Sequence, residues 1–147
     1  MALMNYTTEV PVEKSVAELQ RILTKHGAQK LLIENDGSGN IVAFSFMIQT
    51  DRGLQGFKLP IEWERVLAVL KGQKVQPRYQ TKEQALRVGW RILKDWTQAQ
   101  LAIIETRMVT LDQVFLPYAT ADDGRTLYEV VKASNLLGTP KDSPPAA

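Results

Sequence analysis

Cysteine is absent from this chain of 147 residues, and histidine occurs once. The first absence excludes disulfides, thiolate metal sites and a cysteine nucleophile, and it suits a reducing compartment. The second leaves any transition-metal site dependent on several carboxylates converging from distant segments, and the sequence shows no such cluster. No apolar run reaches the roughly 18 residues of a membrane span. Residues 1–6 carry neither a basic stretch nor a long apolar one, so a secretory leader is not expected and the expected location is the cytoplasm. A phosphate-cradling loop is missing too. Gly37-Ser38-Gly39 lies between two strand patterns, whereas nucleotide loops join a strand to a helix N-terminus. Asp36 in the same turn lacks the alternating ligands and distal glutamate of a calcium loop. No metal and no cofactor are expected.

The composition is that of an ordinary globular domain, 44% hydrophobic and 23% charged, and the length is that of a single domain with its own core. Residues 1–12 read as an arm. Ser15 and Glu18 have capping-box spacing, and Val16, Leu19, Ile22 and Leu23 recur at helical intervals, predicting a helix over residues 13–26 that Gly27 ends. Strand patterns follow at 30–35, 41–50 and 54–59. In the second, Val42, Phe44, Phe46 and Ile48 share one face by the two-residue period. The turns between them, Asp36 to Asn40 and Asp51-Arg52-Gly53, are short, so the three strands form an antiparallel meander. Pro60 opens a helix that Gly72 ends, and residues 73–80 are a polar, basic connector. Thr81 with Gln84, Thr110 with Gln113, and Thr126 with Glu129 cap a long helix to about residue 107 and two short ones. The expected class is α+β, a three-stranded antiparallel meander packed against helices. Residues 13–136 form one domain in this reading, and 137–147, rich in proline and small residues, a disordered tail.

The long helix has an apolar arc, from Ala85 and Leu86 to Ile103 and Ile104, wider than a surface helix needs, so it is expected to be the core's central pillar. Its narrow polar side carries Arg87, Arg91 and Lys94 in line. Lys71, Lys74, Arg78 and Lys82 precede them, and Glu83 is the only acid between residues 71 and 94. That stretch is therefore +6 in a chain of net charge +2, leaving −4 elsewhere. Clustered cations neutralise phosphates, and single strands also favour aromatic platforms. The candidate nucleic-acid contacts are Lys71, Lys74, Arg78, Lys82, Arg87, Arg91 and Lys94, with Tyr79 or Trp90 stacking. A solvated helix face and a core tryptophan are the plainer explanations of the same residues.

Catalysis is poorly supplied. His26 sits where an imidazole complements a helix C-terminus, and Asp122-Asp123 lie in a turn-forming loop, so no catalytic residue is assigned. Phe115, Leu116 and Tyr118 form an apolar knot around Pro117, either clamping a short helix to the long one or meeting a partner. The sheet edges, at the first and third strands, could pair between protomers.

Tyr6-Thr7-Thr8, His26-Gly27-Ala28, Phe57-Lys58-Leu59-Pro60, Gly89-Trp90-Arg91 with Lys94-Asp95-Trp96, and Phe115-Leu116-Pro117-Tyr118 together resemble a family of small uncharacterised proteins of bacteriophages and integrated mobile elements. The resemblance covers most of the chain except its tail and implies a context, with no reaction and no catalytic residue. In element order the chain is also similar to double-stranded-RNA-binding domains and to the core of single-strand annealing proteins. The first pattern places lysines at the helix after the third strand, where this chain has the acidic Pro60-Ile61-Glu62-Trp63-Glu64. The leading expectation is a non-enzymatic, sequence-tolerant nucleic-acid-binding accessory protein of a phage or mobile element. The alternative is a protein-interaction module, such as an inhibitor of a host factor, using the knot or a sheet edge. Single- or double-stranded nucleic acid, a second copy or a host protein are the partners considered, with no membrane.

Overall fold

The computed structural model describes residues 1–136, and the tail expected at 137–147 lies outside the described residues. The chain runs α1 (Val12–Lys25), β1 (Ala28–Asn35), β2 (Ile41–Thr50), β3 (Gly53–Leu59), α2 (Trp63–Gly72), a 3-10 turn (Pro77–Tyr79), α3 (Lys82–Glu105), α4 (Leu111–Phe115), a second 3-10 turn (Leu116–Tyr118) and α5 (Leu127–Ser134). The three strands form one antiparallel sheet in the order β1-β2-β3, the α+β meander expected. Phe46 lies opposite Leu31 on one side and Phe57 on the other, so one face of the sheet is a continuous apolar surface.

That face is buried by α1 and α3. Phe44, Phe46, Ile48, Phe57 and Leu59 meet Val16, Leu19 and Leu23 of α1 and Leu86, Trp90, Leu93 and Leu101 of α3 in one core. Phe115 enters the same core, edge-on to Phe46 and Trp96. Along the first half of α3 nearly every residue is at least half-buried, which makes it the pillar that its wide apolar arc predicts. Among the described residues, no helix is long and apolar enough to cross a membrane.

The caps decide the helix starts. Thr110 with Gln113 and Thr126 with Glu129 form reciprocal capping boxes. Thr81 accepts from the Gln84 backbone N–H, but the Gln84 side chain turns away to donate to the carbonyls of Tyr6 and Thr8 at 2.8 and 3.0 Å. The expected box at Ser15 and Glu18 does not form. α1 begins earlier, with Pro11 as N-cap, so Ser15 is fully buried inside the helix and Glu18 is free for another partner. Pro11 explains the early start, since its fixed φ suits a helix entry. Residues 1–12 are docked rather than loose. Leu3 donates to Gln73 Oε1, Asn5 to Asp95 Oδ2, and Tyr6 packs edge-on to Tyr79.

Candidate functional site

The basic stretch does not present a line of free cations. Arg91 is turned into the seam between α1 and α3, where Nη1 donates to Glu18 Oε2 at 2.7 Å and Nη2 to the same oxygen; its side chain is 12% exposed. Lys94 lies 3.4 Å from Asp95 Oδ1 with its side chain 15% exposed. Lys82 sits 3.7 Å from Asp36 Oδ2 and over the Trp63 ring. Arg87 donates to Gln84 Oε1 at 2.9 Å. The line expected along α3 is corrected accordingly: Glu18 of α1 takes Arg91, Asp95 and Gln84 of α3 itself take Lys94 and Arg87, and Asp36 of the β1–β2 turn takes Lys82. Trp90 is corrected as well. It is completely buried, edge-on to Phe44, and its indole N–H donates to the Ile41 carbonyl at 3.0 Å, so no base can reach it.

Lys71, Lys74 and Arg78 remain exposed at the connector, with no acid within ion-pair distance among the described residues. Arg78 lies over the Tyr79 ring and donates to its hydroxyl. With Arg87, Gln84, Thr7, Thr8 and Glu9, these two residues line a polar cleft of about 230 Å³.

The larger concavity lies elsewhere. At one end of the sheet a groove of about 740 Å³ is walled by Val42, Ala43, Leu59, Pro60, Ile61, Pro117, Tyr118 and Tyr128, with Lys58, Glu62, Thr126 and Glu129 as its polar members. A second hollow of about 370 Å³ between α2 and α3 shares Pro60, Ile61, Glu62 and Tyr118 with it. Strand lengths make the groove. Leu59, the last residue of β3, lies opposite Phe44, so the first residues of β2 run on past the end of β3. The lane beside Val42 and Ala43 has no strand partner among the described residues. The chain leaves that lane at Pro60, whose missing N–H makes it a poor strand residue.

The other wall is the apolar knot together with the segment that leads into α5. Phe115 is fully buried and serves as the clamp, so as a partner contact it is corrected. Tyr118 stacks edge-on to Trp96 and faces both hollows. Leu116 is 40% exposed outside them. Ala119 bridges back to Phe57, and Thr120 to Thr126, so α5 is delivered to the rim with Tyr128 53% exposed. The sequence pattern does not single out Tyr128; its one signal is an aromatic on the solvent side of a short capped helix.

Charged groups around the fold are used structurally. The Asn40 backbone N–H, then that of Ser38, holds the Asp36 carboxyl below its ordinary value. The backbone and side chain of Arg125 do the same for Asp123, and the backbone and hydroxyl of Thr126 for Glu129. His26 caps α1 through Nδ1, 2.8 Å from the Ile22 carbonyl, and its Nε2 lies 3.2 Å from Glu105. Among the described residues, no three His, Cys, Asp or Glu gather in a way that could hold a metal ion. Compared with models of known families, with curated proteins and with solved structures, the chain finds no match in any of the three.

Proposed function

We propose that the chain is a non-enzymatic interaction module that binds an extended, apolar segment of a protein partner in the groove beside Val42 and Ala43. The observation that carries this reading is a strand lane left unpaired among the described residues, at the mouth of an apolar, tyrosine- and proline-lined cavity. Extended peptides add to exposed strand edges through main-chain hydrogen bonds and gain specificity from side-chain pockets. Apolar cavities with a few polar groups at the rim are the usual form of such sites. The absence of cysteine suits a reducing compartment, and the setting proposed, on the resemblance alone, is that of an accessory protein of a mobile element acting on a host protein.

Panning a random peptide library against the full chain tests this. Enriched peptides are expected to be apolar and extended, and to lose about tenfold or more in affinity against Tyr128→Ala or Ala43→Arg, the loss typical of a central contact. Equal binding to the variants and the parent overturns the reading.

A second reading rests on the exposure of Lys71, Lys74 and Arg78. These three would give weak, sequence-tolerant nucleic-acid binding with a slope of log K against log salt of about −2 to −3, far shallower than seven phosphate contacts would give. A titration of single- and double-stranded nucleic acid at two salt concentrations separates the two readings.

A further inference from the structure

Among the described residues the outer edge of β1 is a second unpaired lane of the sheet, and its side-chain pattern names its own partner. β3 is covered on its far side by Ala119 and Thr120, through the Phe57 bridge, Thr120 N–H to the Gly56 carbonyl at 2.9 Å, and the Gln55 amide to the Thr120 carbonyl at 3.0 Å. Nothing comparable covers β1 among the described residues. Between irregularities after Ala28 and Glu34, β1 is regular from Lys30 to Glu34. By the two-residue period Lys30, Leu32 and Glu34 share the outer face, with Leu32 59% exposed between the two charges. Leu31 and Ile33 point to the core face but stay only half-buried.

We infer that β1 pairs antiparallel with β1 of a second copy about a two-fold axis at Leu32, joining two sheets into one of six strands. In that register Leu32 meets Leu32 of the second copy. Lys30 faces Glu34 of the second copy, and Glu34 faces its Lys30. On the core face, Leu31 and Ile33 face each other twice. Isologous contacts of this kind are what a two-fold dimer requires. Parallel in-register pairing would set lysine on lysine and glutamate on glutamate, and a one-residue slip would exchange the faces. Single charges on an edge normally block association; here the two signs, spaced equally about Leu32, favour this register, since a slip of two residues sets Leu32 against a charge and a slip of four sets like charges opposite each other. Five regular residues make a lane smaller than a standard interface, so the dimer is expected to dissociate in about the micromolar range. This lane lies on the edge of β1 away from β2, although Glu34 is the cross-strand neighbour of Ala43 in the groove wall.

Sedimentation equilibrium of the full chain across micromolar concentrations, repeated on charge variants, tests the inference. Glu34→Lys and Lys30→Glu, each alone, are expected to weaken self-association about tenfold or more. Mixed in equal amounts, the two variants should form a heterodimer, and the double exchange Lys30→Glu with Glu34→Lys should regain the parent's affinity. Far-ultraviolet circular dichroism checks that these exposed changes leave the fold intact. A chain that is monomeric throughout, a dimer indifferent to both single variants, or failure of the double exchange to restore it overturns the inference.

Discussion

Glu18 holds the charge of Arg91 in a seam where the guanidinium is 12% exposed and its Nε finds no hydrogen-bond partner. Without that carboxylate, a partly buried cation would lose the only acid it meets among the described residues. Glu18→Gln keeps the shape and removes the charge, so it is expected to cost about 1–3 kcal/mol in urea unfolding. Lys71→Ala, at an exposed position with no ion-pair partner among the described residues, is expected to stay within about 0.5 kcal/mol of the parent in the same measurement. The contrast separates two cations that look alike in the sequence. A lysine or arginine on the polar side of a helix is legible, but whether an acid from another element meets it depends on how the helices cross.

Among the elements, the return of the chain after the knot to the edge of β3 depends on one glycine. A Cβ placed on Gly56 would lie 2.7 Å from Thr120 Oγ1, closer than side chains tolerate. Gly56→Ala should therefore push Thr120 off the strand edge, at about 1–3 kcal/mol. Adding Thr120→Ala, which removes the clashing hydroxyl, should recover part of that loss; thermal unfolding of the three variants reads it directly. The strands and capped helices themselves were legible, because the two-residue alternation in β2 and the threonine caps at 81, 110 and 126 are local features. The start of α1 was not. Ser15 and Glu18 carry a capping signature, yet Pro11 starts the helix sooner and α3 claims Glu18. Likewise Trp90 reads as an arc-edge aromatic but is buried, because α3 lays it against the sheet, edge-on to Phe44 with its indole N–H on the Ile41 carbonyl.

At the scale of the whole molecule, three carboxylates link stability to acid pH. Asp36, Asp123 and Glu129 are each held below their ordinary values of 3.8, 3.8 and 4.5 by hydrogen bonds that exist only in the folded chain. A carboxylate with a lowered folded pKa stabilises the fold above the unfolded value, and that contribution disappears as pH falls through the folded one. Stability should thus be steady above about pH 5 and decline progressively below about pH 4, with a shallower decline in Asp36→Asn and Asp123→Asn. Urea midpoints measured between about pH 2 and 7 check it, and a decline beginning near neutrality would contradict it. Glu129 also borders the groove, so its protonation should loosen the start of α5 and the rim together.

Read alone, the chain already dictates everything governed by near neighbours: the meander, the order of elements, the apolar face of β2, and α3 as the pillar, since period, turn and cap act within a few residues. It also locates the segments that matter, the basic stretch and the knot at Phe115 to Tyr118. Packing in three dimensions decided which side chains of those segments stay exposed. Setting α1 against α3 paired Arg91 with Glu18, the neighbouring Asp95 took up Lys94, burying Trp90 removed a platform, and ending β3 short of the start of β2 opened a groove no residue pattern announces. Each depends on distances between parts of the chain far apart in number, and a linear pattern carries no record of those.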